Sequence, residues 1–99
     1  MKEITNKNKK IVIEGKFTII NELGLHARAA TKLVQRASKY KSEILLEKDG
    51  KVADGKSILG LLSLIGIKGS VITLKVIGED AEEAFNDIAE LIKSGFGEL

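Results

Sequence analysis

Cysteine is absent from this chain of 99 residues, and so are proline and tryptophan. Without thiols there is no disulfide framework and no thiolate metal site, and the redox compartment stays open. Aromatic side chains are scarce, at three Phe and one Tyr, so the core must be built from Ile, Leu, Val and Ala. Long apolar runs are missing as well. Nothing approaches the ~20 residues of a membrane-spanning helix, and the polar stretch 1–10 does not resemble a secretory signal. A cytoplasmic location without direct membrane insertion is the expectation. Charge of either sign is nearly cancelled: 16 Lys and Arg against 14 Asp and Glu leave +2, too little by itself to argue for nucleic acid. Histidine occurs once, at position 26.

At this length a second core does not fit, so the chain is one domain. A hydrophobic share of 43% with 30% charged residues is ordinary for a soluble globular fold. Residues 1–10 carry Lys2, Lys7, Lys9 and Lys10 against Glu3 and read as a polar, mobile extension, with a basic arm as the alternative. Residues 11–99 read as the domain. An extended run from Ile11 to Asn21, with a bulge or bend at Glu14-Gly15-Lys16, precedes a helix that follows His26 and fades near Tyr40. Glu43 to Glu47 is a second strand. Asp49-Gly50 is a hairpin turn leading into Lys51-Val52-Ala53. Ser57 caps a short helix over Ile58 to Leu64, Gly66 and Gly69 mark a loop, and Val71 to Ile77 is the clearest strand. Asp80 as N-cap, with Glu83 at the capping-box distance, opens a last helix that Gly95 ends. The order β-α-β-β-α-β-α predicts an α+β sandwich, with three helices on one face of a mainly antiparallel sheet.

The chemistry gathers at Gly24-Leu25-His26-Ala27-Arg28. The strand Phe17-Thr18-Ile19-Ile20 stops just before it, and the helix begins just after. A helix start presents unpaired N–H groups and a partial positive charge, which favour a bound anion. The Ala27 and Arg28 amides and the forked Arg28 guanidinium suit phosphate oxygens. A neutral imidazole beside them is a nucleophile poised to carry a phosphoryl group, unless His26 simply caps the helix or packs in the core. Phosphoryl transfer runs through a loose transition state, so the protein has to supply alignment and charge compensation.

These residues resemble the histidine-containing phosphocarrier protein HPr of the bacterial phosphotransferase system. The resemblance rests on Gly24-Leu25-His26-Ala27-Arg28, on Thr31 to Gln35 with Ala37 to Tyr40, and on Lys56 to Leu64. It implies an open-faced β-sandwich with a four-stranded antiparallel sheet, in a monomer without cofactor or metal. It further implies that His26 takes a phosphoryl group on Nδ1 from enzyme I, charged by phosphoenolpyruvate, and passes it to an enzyme IIA. Such a protein is a carrier and not an enzyme. Ser57 resembles the serine that HPr kinase/phosphorylase modifies in many relatives. Ile58, Leu59 and Leu62 become an apolar docking platform, with Arg28 and Lys56 meeting acidic partner rims. Two departures stand out. Ala29 replaces a frequent proline, and Leu59 and Leu62 replace more adaptable methionines.

Alternatives remain. An HPr-like regulator with little role in sugar transport would carry the same motifs. Gly50 to Ser57 spells the phosphate-binding loop pattern G-x-x-x-x-G-K-S, which suggests a nucleotide-binding protein. Against that stand the short chain, the short helix after it and the hairpin already claimed by Asp49-Gly50. A nucleic-acid module on the same scaffold would need exposed strand aromatics, and Phe17 is the only candidate.

Overall fold

The computed structural model describes the backbone of residues 2–7 and 10–99, with side chains described from Ile11 onward. Five strands, β1 (Lys2–Lys7), β2 (Lys10–Thr18), β3 (Glu43–Lys48), β4 (Lys51–Asp54) and β5 (Val71–Gly78), form one sheet in the order β1-β2-β5-β3-β4. Every pairing is antiparallel. Three helices, α1 (Ala27–Ala37), α2 (Ile58–Ser63) and α3 (Ala81–Lys93), follow the expected order, and a short 3-10 turn covers Gly95–Gly97. The result is an open-faced β-sandwich.

The four strands β2 to β5 are the antiparallel sheet expected from the sequence. β1 is an addition. Lys2–Lys7, assigned above to a mobile extension, pairs with β2 in a register that sets Ile4 opposite Ile13 and Thr5 opposite Val12. Without it β2 would present an open row of N–H and C=O groups, which is a template for any segment able to extend. Met1, Asn8 and Lys9 of that extension lie outside the described residues. Glu14-Gly15-Lys16 is not a bulge: the three residues pair in unbroken register with Lys75, Leu74 and Thr73. Alternation explains this. Ile13, Gly15 and Ile19 are buried while Lys16 and Thr18 face outward, so an inserted residue would reverse the faces of everything after it.

Between sheet and helices lies an aliphatic core. Ile13, Ile44, Leu46, Ile72, Leu74 and Val76 come from the strands, and Ala29, Ala30, Leu33, Ala37, Leu61, Phe85, Ile88 and Ile92 from the helices. Phe17 faces this core as well, tilted against Phe85 at 5.8 Å between ring centroids, so it is not a stacking platform for bases. Asp49 and Gly50 both take positive φ, at 51° and 84°, the backbone that a two-residue hairpin between twisted strands requires. The phosphate-loop letters are thus absorbed by a turn, by β4 and by a helix cap. Gly55 within them lies so close to Ile44 that a Cβ would collide with it.

Asp80 sits at the N-cap position of α3 but makes no capping bond with its side chain. Its carboxylate instead accepts from the Lys41 and Ser42 backbone N–H groups, each at 2.9 Å, and from the Ser42 hydroxyl. Three donors on the approach to β3 outcompete one helix amide. The Ser42 hydroxyl, against the effect of burial and with help from the two amides, holds the Asp80 carboxyl below its ordinary range. A carboxyl with a depressed folded pKa contributes stability above its unfolded pKa and loses it as pH falls through the folded value. Asp80→Asn therefore flattens the acid limb of the stability–pH curve below about pH 4; chemical denaturation across that range checks it, and an unaltered limb contradicts it. Leu33→Ala, which empties a fully buried site, costs about 2–5 kcal/mol in the same assay, whereas Leu59→Ala on the surface stays within about 0.5 kcal/mol.

Candidate functional site

Residues 19–25 form a connection tied down on both sides before the chain reaches His26. The Ile19 N–H donates to the Ser70 carbonyl and its own carbonyl accepts from Gly69. Asn21 to Gly24 closes a turn through Gly24 N–H to Asn21 carbonyl, at 3.0 Å. Gly24 has φ +64°, and a Cβ there would run into the Gly66 carbonyl. Leu25 is buried and donates its N–H to that same carbonyl at 2.7 Å. His26 then sits extended at the N-cap position of α1, with φ −81° and ψ 179°, and its side chain makes no capping bond. The first-turn amides are left without a side-chain cap, and the imidazole is free for other work. Ala29, Ala30, Leu33 and Ala37 seat the helix on the core.

That other work involves a residue the sequence did not single out. Past α3 the backbone takes positive φ at Gly95 (64°), Phe96 (57°) and Gly97 (73°), curling the C-terminus back toward α1. Phe96 is buried, and its carbonyl accepts from the Lys32 ammonium of α1 at 2.7 Å. Glu98 is thereby laid over the start of α1. Its Oε2 lies 2.5 Å from His26 Nε2 and 3.3 Å from Arg28 Nη2, with Arg28 Nε at 3.4 Å. Its Oε1 accepts from Asn21 Nδ2 at 2.9 Å. Asn21 is buried, and the same amide nitrogen donates to the Gly24 carbonyl, while its Oδ1 has no partner within the described residues. Turning the amide over would set that oxygen against a carboxylate, so the hydrogen-bond pattern fixes its orientation. The Asn21 donor first, against the effect of burial, then His26 and Arg28, hold the Glu98 carboxyl below its usual range.

A carboxylate only accepts hydrogen bonds. Next to Glu98, the one proton of a neutral imidazole belongs on Nε2, and Nδ1 keeps its lone pair. Nδ1 makes no hydrogen bond within the described residues. The His26 side chain is 24% exposed and Arg28 65%, against 12% for Glu98. The site is thus shallow, with its imidazole partly exposed, its guanidinium largely so and its carboxylate sheltered. The one clue in the sequence was Phe96 set between two glycines beyond the end of a helix, a pattern for an anchored C-terminal turn.

Other candidates are dispersed. Ser57 Oγ accepts from Gly60 N–H at 3.0 Å as the N-cap of α2. Lys56 gives its ammonium to the Tyr40 carbonyl at 2.7 Å and makes no hydrogen bond with the His26 cluster. On α2, which packs against α1, Leu59 is 80% exposed, Ile58 is 38% exposed, and Leu62 is partly buried against the core. Further exposed apolar groups appear on the two loops that meet at Gly24 and Gly66: Leu23, Ile65 and Ile67. Ile65 holds φ +53°, a backbone that β-branched residues rarely accept. Among the described residues no group of three or more His, Cys, Asp and Glu is placed to hold a metal ion, and no helix is long and apolar enough to cross a membrane.

A single histidine at a helix start, on an open-faced β-sandwich, is the combination to set against known proteins. Residues 13–94 match the family model described as the PTS HPr component phosphorylation site. The phosphocarrier protein HPr of Neisseria meningitidis serogroup A is 45% identical over 87 residues, which is 88% of this chain and 98% of that one. The phosphocarrier protein NPr of Shewanella violacea is 45% identical over 86 residues, covering 87% and 94%. The crystal structure of HPr-C-His from Thermoanaerobacter tengcongensis superposes with a TM-score of 0.83 at 46% identity, over 87% of this chain and 97% of that one. The chain belongs to the HPr family, whose members are phosphocarriers with a phosphohistidine intermediate rather than enzymes.

Gly24 carries the tightest constraint in the loop that delivers His26. Gly24→Ala loses more than about 1 kcal/mol of unfolding free energy, because the new methyl meets a carbonyl that already accepts from Leu25. Denaturant melts check this, and a loss of a few tenths would contradict it.

Proposed function

We propose that His26 is the phosphoryl acceptor, taking the group on Nδ1 from phosphorylated enzyme I and handing it to an enzyme IIA in the cytoplasm. The observation that carries the proposal is the ring itself. Nε2 is engaged by Glu98, Nδ1 is unengaged, and the first-turn amides of α1, which His26 immediately precedes, carry no side-chain cap. Arg28 is exposed enough to reach a phosphate, and its present contact with Glu98 is long. The Ala27 and Arg28 amides supply the helix-start donors. Ile58, Leu59 and Leu62 of α2, with Arg28, form the docking surface; Leu23, Ile65 and Ile67 border the same histidine loop and extend it. Lys56 serves this surface less directly than the sequence suggested, since Tyr40 holds its ammonium. The chain works as a monomer, because both donor and acceptor have to reach one shallow site in turn.

Regulation through Ser57 is a second part of the proposal. A phosphate at the start of α2 would add up to about two negative charges beside exposed Ile58 and Leu59, and would have to share or replace the bond from Gly60. Docking of an acidic partner suffers without any refolding. A regulatory carrier with little role in sugar transport would use the same chemistry, and the identity of the acceptor separates the two.

Incubation with enzyme I and phosphoenolpyruvate, followed by intact-mass measurement at neutral and acid pH, tests the central claim. One acid-labile phosphate is expected on the wild type and none on His26→Ala. Arg28→Ala slows incorporation by about tenfold or more, the loss of one charge-assisted contact. Incorporation that survives His26→Ala sinks the proposal. With HPr kinase/phosphorylase and ATP, an acid-stable phosphate lost in Ser57→Ala is expected, and it should slow subsequent transfer to His26.

A further inference from the structure

We infer that Glu98 is a positioning residue for phosphoryl transfer, compensating the charge that the His26 ring acquires when Nδ1 is phosphorylated. The inference rests on the reading of His26 as the acceptor. As the Nδ1–P bond forms, the donor's bond to phosphorus breaks and its leaving group departs with that electron pair. The imidazole contributes its lone pair and loses no proton, because Nε2–H stays where the Glu98 carboxylate holds it. The ring becomes an Nδ1-phosphoryl imidazolium, and the new positive charge lies one hydrogen bond from a sheltered carboxylate.

Three features show that this contact is built into the fold. The turn that delivers Glu98 takes positive φ at three successive residues around a buried Phe96. Lys32, a turn further along α1, fastens the Phe96 carbonyl. Buried Asn21, from the loop before His26, donates to the other carboxylate oxygen. Elements from both ends of the chain thus aim one oxygen at Nε2. Arg28 shares that oxygen only at 3.3–3.4 Å, so the guanidinium can turn to the phosphate while the carboxylate stays with the ring. A preorganised charge of this kind acts on the transition state without reorganising when it is reached.

A small phosphoryl donor separates this role from partner docking. Phosphoramidate transfers its phosphoryl group to Nδ1 and releases ammonia, with no protein surface involved. Wild type, Glu98→Gln, Glu98→Ala and His26→Ala are compared for the rate of phosphohistidine formation. Ring 15N and proton spectra of the unphosphorylated proteins and thermal melting are recorded beside it. We expect rates about tenfold or more lower in both Glu98 variants. A strongly deshielded Nε2–H resonance in the wild type should move upfield in Glu98→Gln and exchange away in Glu98→Ala. Melting of Glu98→Gln should stay near the wild type, which excludes collapse of the turn as the cause. Rates equal to or above the wild type in both variants overturn the inference, the faster outcome meaning that the carboxylate merely obstructs the site. Phosphate that never appears on His26 of the wild type overturns the phosphocarrier reading first and this inference with it.

Discussion

A carboxylate has no proton to give at neutral pH, and the imidazole of His26 faces one at 2.5 Å. That asymmetry arranges everything else at the site. In the neutral imidazole it puts the one ring proton on Nε2 and leaves the lone pair on Nδ1, so that two otherwise interchangeable nitrogens become distinct. Glu98 cannot do this alone, because an untethered glutamate side chain loses too much conformational freedom to hold one geometry. Phe96 anchors it from below, Lys32 fastens the backbone between them, and Asn21 occupies the second oxygen. The ring orientation is therefore a property of tertiary packing, and only secondarily of residue 26.

Rigid elements meet at this point for structural reasons. β5 lies between β2 and β3, so both its edges are paired, and the loop before it supplies the Gly66 and Ser70 carbonyls that pin the approach to α1. α1 in turn is seated by small residues, Ala29, Ala30 and Ala37, which let its backbone come close to the layer beneath. Alanine at 29 belongs to this packing, being fully buried. A proline there would fix φ, but the observed helix start is already held by Leu25 on one side and by the Lys32 and Arg28 contacts to the C-terminal turn on the other.

Local chemistry was legible in the residues. Asp49-Gly50 named its own turn, because two positive φ angles in succession restrict the choice of side chains. β5 announced itself through alternation, and the start of α1 through the change from period two to helical spacing at His26. What escaped depends on contacts between distant segments. Asp80 has the right identity and spacing for a helix cap, yet Lys41 and Ser42, reached only once β3 has paired with β5 and α3 has packed on that sheet, offer it more donors. Glu98 and Asn21 are separated by 77 positions, and no periodicity links them. β1 is a third case. A run with one isoleucine among charged and polar residues has weak strand character by itself, and what extends it is the open edge of β2. Gly15 looked like a bulge because glycine weakens a strand interior, but β5 fixes the register on its other side and leaves no room for an extra residue.

A carrier has to hold its cargo firmly enough to accept it and loosely enough to surrender it, and the exposure pattern around His26 fits that demand. Arg28 stands mostly in solvent, where Coulomb attraction is weakened by water and salt, so the hold on a phosphate proposed for it would be worth little more than a surface pair. Burying the guanidinium would strengthen binding and stall release. Glu98 is sheltered on the opposite edge of the ring, beside Nε2, where the charge compensation proposed for it would fall on the ring more than on the phosphate. On the proposed reading, the arginine and the carboxylate offset each other before transfer, and afterwards the phosphate faces Arg28 while the ring faces Glu98. The exchange needs only a guanidinium to rotate, while the backbone around it, pinned at Gly24, Leu25 and Phe96, keeps its place.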